Sequence, residues 1–207
     1  PSDHHLQDAD AFRMAVEIAV DMPEDALVCF GVRPDRPHTG YGYIRSGETI
    51  RDEAEWVDRF VEKPDADAAI RYVESGEYYW NSGIFLFPVG RYLNDLGVAR
   101  PEMLAHCSQS VAMARRDLDF IRLEEDSFRA IQGESIDYAV MEKAERAIVI
   151  ALDAGWSDVG SWSSLHAESP QDGEGNTVVG DVTVVGCRNS YLRSERCLLY
   201  TSDAADE

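Results

Sequence analysis

The sequence predicts an α/β protein, a wound sheet with helices on both faces, and three observations carry that expectation. Short apolar runs of strand length alternate with amphipathic segments of helix period along most of the chain. The run Ala26–Val32 is apolar almost throughout, as strands buried on both faces of a parallel sheet are. Proline, glycine and capping residues punctuate the joints between these runs.

Taken in order, Phe12, Ala15, Val16, Ala19 and Val20 stand at helical spacing after Asp8 and Asp10, either of which can cap the first turn. Ala26–Val32 is the first core strand. Pro34 and Pro37 then force a loop, and Tyr41–Ile44 reads as a short strand. Trp56–Glu62 is the next strand, stopped by Pro64. Asp65 can cap a helix running to Gly76, where glycine supplies the left-handed residue that ends a helix. Ile84–Phe87 is a strand, and Pro88 suits the first turn of the helix that follows. Residues 101–116 and about 117–131 read as helices, and Ser135 or Asp137 opens another through Lys143. Ala147–Leu152 is a strand leading into a loop, Asp153–Gly160.

After Pro170 the helical period is lost, and Gly173, Gly175, Gly180 and Gly186 divide short strand-like pieces. The expected organisation is one domain over residues 1–170, the start of a β element over 171–196, and a non-native tail over 197–207. That last stretch continues no earlier pattern and resembles translated sequencing-adapter DNA, so it is set aside. At the other end a helix signal follows Pro1 almost at once, and the chain reads as cut there. The β element could pack on its own domain or on a neighbouring subunit of a homo-oligomer.

Composition narrows the chemistry. The 207 residues are 44% hydrophobic and 10% aromatic, enough to build a core. With 39 acidic residues against 19 basic ones, the net charge is −20, which argues against nucleic acid and anionic membranes as partners. Small phosphorylated substrates remain compatible if a divalent cation or a few basic side chains offset the local charge. The apolar runs Ala147–Leu152 and Gly83–Phe87 are too short to span a bilayer, and no leader pattern opens the chain, so a cytoplasmic location is expected. Cys29, Cys107, Cys187 and Cys197 show no metal-finger spacing and read as idle thiols.

Five polar segments adjoin strand ends, where open α/β sheets place their ligands. Asp3 precedes the first helix and Asp158 lies in a glycine-flanked loop. Each alone reads more simply as a cap or turn, but together they suit a hard cation such as Mg2+. Glu62-Lys63-Pro64 pairs a point cation for a phosphate with a carboxylate that can accept from sugar hydroxyls; a surface ion pair is an equal alternative. Thr39-Gly40-Tyr41-Gly42-Tyr43 and Trp80-Asn81-Ser82-Gly83 combine glycines, which allow close backbone approach, with aromatic faces and an amide. That mixture suits sugars, and turns as well. No nucleophilic triad stands out, and Met141 reads as helix core.

In order along the chain, PSDH (1–4), TGYGYI (39–44), FVEKPD (60–65), WNSGIFLF (80–87), SIDYAVMEK (135–143) and GWSDVGSW (155–162) resemble the mannose-1-phosphate guanylyltransferases of the long bacterial type. The resemblance implies a Rossmann-like nucleotide-diphospho-sugar transferase fold, followed by the start of a β-rich linker or β-helix. It implies transfer of GMP from GTP to mannose 1-phosphate, with Mg2+ held by Asp3 and Asp158. Lys63 would hold the sugar phosphate, and Glu62, Asn81 and the Gly40–Gly42 loop its hydroxyls. The family's glycine-rich triphosphate loop, with its arginine and lysine, has no match here, so the isolated chain is expected to transfer little GMP. The alternatives are a sugar nucleotidyltransferase for another base or hexose, and a non-catalytic sugar-phosphate-binding module.

Overall fold

Residues 1–51 and 53–195 are described in the computed structural model; the tail expected at 197–207, with Cys197, lies outside the described residues. After a two-residue strand β1 (His5–Leu6), helix α1 (Ala9–Val20) starts where Asp8 accepts from the backbone N–H groups of Asp10 and Ala11, both at 2.9 Å. Strands β2 (Leu27–Val32), β3 (Tyr43–Arg51) and β4 (Ala54–Val61) follow. Helix α2 (Ala66–Ser75) is capped by Asp65 and closed by Gly76 at φ +70°, as its sequence predicts. Next come β5 (Tyr78–Leu86), α3 (Val89–Ala99) and α4 (Pro101–Ala112).

The helix expected over 117–131 is instead a hairpin, β6 (Arg115–Asp117) and β7 (Phe120–Arg122), followed by a short α5 (Glu125–Arg129). Leu118 turns the hairpin at φ +55°, a conformation usually announced by glycine or asparagine. The segment from Ser135 forms α6 (Ile136–Ala139) and then a single 3₁₀ turn, Met141–Lys143. Strand β8 (Ala147–Ala151) precedes β9 (Trp156–Ser157), which interrupts the expected loop; then come α7 (Trp162–Ala167), β10 (Thr177–Val179) and β11 (Tyr191–Arg193).

The described residues divide into two compact units, Gln7–Trp156 (with Pro1) and Ser2–Leu6 with residues 157–195. In the first, the strands close into a ring in the order β2-β5-β3-β4-β8. The pairing corrects the expected parallel sheet: among the described residues of this ring only β2 and β8 run parallel, and the other neighbours are antiparallel. Ala26–Val32 is apolar because the side chains of β2 are buried on both of its faces, not because all its neighbours are parallel. Strand alternation sends neighbouring side chains to different cores. Tyr78 and Trp80 pack with Tyr41, Tyr43 and Ala69, whereas Tyr79 packs with Leu27, Cys29, Ile44, Phe60 and Val149.

Cys29 is fully buried, its thiol donating to the Ile148 carbonyl at 3.4 Å, and burial pushes its pKa up to about 12. Gly31 is obligatory for packing: a Cβ there would lie 2.6 Å from Val149 Cγ2 and 2.7 Å from Tyr79 Cβ. In the second unit, β10 and β11 pair in parallel, Thr177 opposite Tyr191. Buried Asn176 ties them together, donating to the Cys187 carbonyl at 3.0 Å and accepting from the Ser190 N–H at 3.2 Å. Among the described residues, no helix is long and apolar enough to cross a membrane.

Candidate active site

The EKP, TGYGYI and WNSG segments converge within the first unit because β3 lies between β4 and β5. Tyr43 stands opposite Val61 on one side and Trp80 on the other. That register puts Gly42 next to Asn81, whose N–H donates to the Gly42 carbonyl at 2.8 Å. A Cβ on Gly42 would collide with Glu62 Oε2 and lie 3.1 Å from Asn81 Cβ. Glycine is therefore what admits the glutamate and the amide to one small space.

The strand β5 is irregular here. Its register against β2 slips between the pairs Gly31–Asn81 and Cys29–Phe85, and Gly83 takes φ +69° inside the slip. Such bulges re-aim side chains next to functional sites. Here the bulge turns the Asn81 Oδ1 onto the Gly83 N–H, 3.0 Å away. The Asn81 Nδ2 donates to Asp137 Oδ1 at 2.9 Å, so both ends of the amide are held. Ser82 behaves differently: its hydroxyl is buried, donating to the Phe30 carbonyl at 2.7 Å and accepting from the Ile84 N–H at 3.2 Å. It shapes the bulge from within.

Glu62 and Lys63 emerge from the end of β4. Lys63 lies in the left-handed region at φ +47°, a strained conformation for a residue with a side chain and one that clusters at ligand sites. Its ammonium contacts Glu62 Oε1 at 2.9 Å. The Lys63 side chain is 57% exposed, that of Glu62 only 7%. Among the described residues, Glu62 Oε2 is buried and has no hydrogen-bond partner. Burial raises the Glu62 pKa against the opposing pull of Lys63, and Asp137 and Glu142 add to the rise. The Glu62 N–H is itself held by Glu142 Oε1 at 3.0 Å. Tyr41 is nearly buried, stacked on His38 at 3.9 Å and edge-on to Trp80 at 5.1 Å, so it is a wall of this region more than a free platform. Gly40 donates its N–H to His38 Nδ1 at 3.2 Å.

Asp3 and Asp158 both lie in the second unit and both act on the imidazole of His4. Burial lowers the His4 pKa, and the two carboxylates pull it the other way. Asp158 folds back on its own loop, accepting from the Gly160 N–H at 3.1 Å; a Cβ on residue 160 would sit 2.7 Å from Asp158 Oδ2. Among the described residues no cluster of three or more ligating side chains forms. A pair of carboxylates near one imidazole fits Mg2+, which takes one or two carboxylates and completes its shell with phosphate and water oxygens.

Asp137 and Glu142 are the residues that reading the side chains one by one misses. A carboxylate in the first turn of a predicted helix is ordinarily a cap, and only the SIDYAVMEK resemblance marks the segment.

The nucleotidyl transferase family matches residues 1–175. The chain belongs to that family. Among curated relatives of this nucleotidyl transferase, the xanthan biosynthesis protein XanB of Xanthomonas campestris is 49% identical over 96% of this chain and 42% of its own length. The mannose-1-phosphate guanylyltransferase of Escherichia coli K12 is 49% identical over 99% of this chain and 44% of its own. This nucleotidyl transferase thus spans less than half the length of these curated relatives. Among solved structures, that titled mannose-1-phosphate geranyltransferase from Thermus thermophilus matches with a TM-score of 0.72 and 35% identity, covering 86% of this chain and 50% of that one. The α/β nucleotidyltransferase fold is thereby shown.

Proposed function

We propose that this chain carries the sugar-phosphate side of a mannose-1-phosphate guanylyltransferase, which transfers GMP from GTP to mannose 1-phosphate and releases pyrophosphate. The observation that carries the reading is the pair of oxygens on Glu62. One is satisfied by Lys63 at 2.9 Å, and the other is buried beside Gly42 with no protein partner among the described residues. A buried acceptor without a donor is costly, and a sugar hydroxyl would supply the donor. Lys63, largely exposed, would meet the phosphate as a point charge.

In this reading a phosphate oxygen of the sugar attacks the α-phosphorus of GTP and pyrophosphate leaves, so that positioning and charge neutralisation dominate the rate. Bound Mg2+ would neutralise the phosphates; Asp3 and Asp158 would hold it. Glu62 and Asn81 would orient the hexose and Lys63 its phosphate. The names of the curated relatives support the substrates. The parallel pair β10–β11, tied by Asn176, supports a further proposal, that a β-helix begins here.

Calorimetric titration of the chain with mannose 1-phosphate tests the sugar site. Lys63→Ala and Glu62→Ala are each expected to weaken binding by about 10-fold or more, the worth of a charged hydrogen bond. Equal affinity for both variants and the parent would refute the assignment. In a polypeptide of the relatives' length, pyrophosphate release from GTP should require Mg2+, and Asp158→Asn should raise the Mg2+ concentration needed for half-maximal rate. A rate indifferent to Asp158 would remove it from the metal site.

A further inference from the structure

We propose that Asp137 is a positioning residue for the sugar pocket: it holds the Asn81 amide in one of its two orientations, so that one N–H and one lone pair of fixed identity remain for the hexose. The inference rests on the mannose 1-phosphate reading above and adds a residue to it.

An asparagine amide can present either its oxygen or its NH2 group in a given direction, and the two ends look alike in shape. In this site each end is claimed. The Gly83 N–H fixes the oxygen, at 3.0 Å, and Asp137 Oδ1 fixes the nitrogen, at 2.9 Å. Turning the amide over would set Nδ2 against the Gly83 N–H and Oδ1 against a carboxylate, two repulsive contacts in place of two bonds. After these bonds, Nδ2 keeps one hydrogen and Oδ1 one lone pair.

The same segment supports the other half of the pocket. Five residues on from Asp137, Glu142 accepts from the Glu62 N–H at 3.0 Å. SIDYAVMEK is thus a brace that reaches β5 through Asp137 and the end of β4 through Glu142. The break between α6 and the 3₁₀ turn, with Val140 at φ −126°, separates the two carboxylates instead of leaving them on one regular helix. Asp137 also faces Glu62 and Lys63 closely enough to raise the pKa of both.

The test is a double-mutant cycle read by calorimetry on the chain. Asp137→Ala is expected to weaken mannose 1-phosphate about 10-fold, the worth of one lost hydrogen bond. Asp137→Asn, which keeps an acceptor oxygen, should recover most of that loss. On an Asn81→Ala background, Asp137→Ala should cost less than about 2-fold, because the group it positions is gone. In NMR spectra of the parent the Asn81 side-chain amide pair should be well resolved, and it should collapse toward free-amide shifts in Asp137→Ala. The proposal is overturned if Asp137→Ala binds as tightly as the parent, if Asp137→Asn is as weak as Asp137→Ala, or if the full penalty persists without Asn81. If the parent chain itself does not bind mannose 1-phosphate, the substrate reading falls first and this inference with it. Melting curves for each variant separate a loss of the fold from a loss of the site, and Asp137→Asn, nearly isosteric, keeps the cycle readable.

Discussion

Glu62 holds one oxygen against an ammonium and the other against no protein donor among the described residues, on a side chain that is 7% exposed. Its folded-state pKa lies above its ordinary value near 4.5. For an acid the sign follows directly: its stabilising contribution is fully present below that ordinary value and is lost as the pH rises through the raised one. At neutral pH the buried charge therefore works against the fold. Glu62→Gln is expected to melt at a higher temperature than the parent at pH 7, with the difference narrowing as the pH falls toward 4.5, and to bind mannose 1-phosphate more weakly. A variant that melts lower at pH 7 would contradict this balance. Gly42→Ala should lose sugar binding for a steric reason, since its methyl group would occupy the place of Glu62 Oε2. Most of these residues are visible in the sequence, because glycines beside an amide and a charged pair at a strand end are local features. Asp137 is not, because its role depends on Asn81, 56 positions away.

Among elements, helix α2 shows what local chemistry can announce. Asp65 accepts from the Ala68 N–H at 2.8 Å and Gly76 closes the helix, both at the positions the sequence indicates. Asp65→Ala should cost about 1 kcal/mol of stability, the usual worth of a helix cap, as read by chemical denaturation. The hairpin β6–β7 shows the opposite case. Its turn places Leu118, which carries no turn signature, in the left-handed region, so the surrounding residues read as helix. Sequence alone starts strand β5 only at Ile84, because Asn81-Ser82-Gly83 looks like a turn; the strand passes through as a bulge. Gly31→Ala forces a methyl group into the contact between Val149 and Tyr79, and overpacking of this kind should cost about 1–3 kcal/mol.

For the molecule as a whole, the α/β class is legible from alternation of strand and helix periods, whereas the ring closure is not. Pairing β4 with β8 joins residues near 55 to residues near 149, and nothing in either segment names its partner. The return of Ser2–Leu6 to the unit that resumes at Ser157 is hidden for the same reason. The charge of −20 is legible, and it makes the few placed cations decisive: Lys63 is faced by both Glu62 and Asp137. Mannose 1-phosphate at about 100 times its dissociation constant should stabilise the folded chain by about 2.7 kcal/mol. Thermal melts with and without the ligand measure this, and an unmoved transition would count against the sugar site.

Cys29 gives the ring a reporter of its own. A thiol so reluctant to ionise, lodged between β5 and β8, cannot meet an alkylating reagent while those strands stay zipped. The pace at which that one sulfur is captured would therefore clock the rare openings of the ring, without any probe being engineered into the protein.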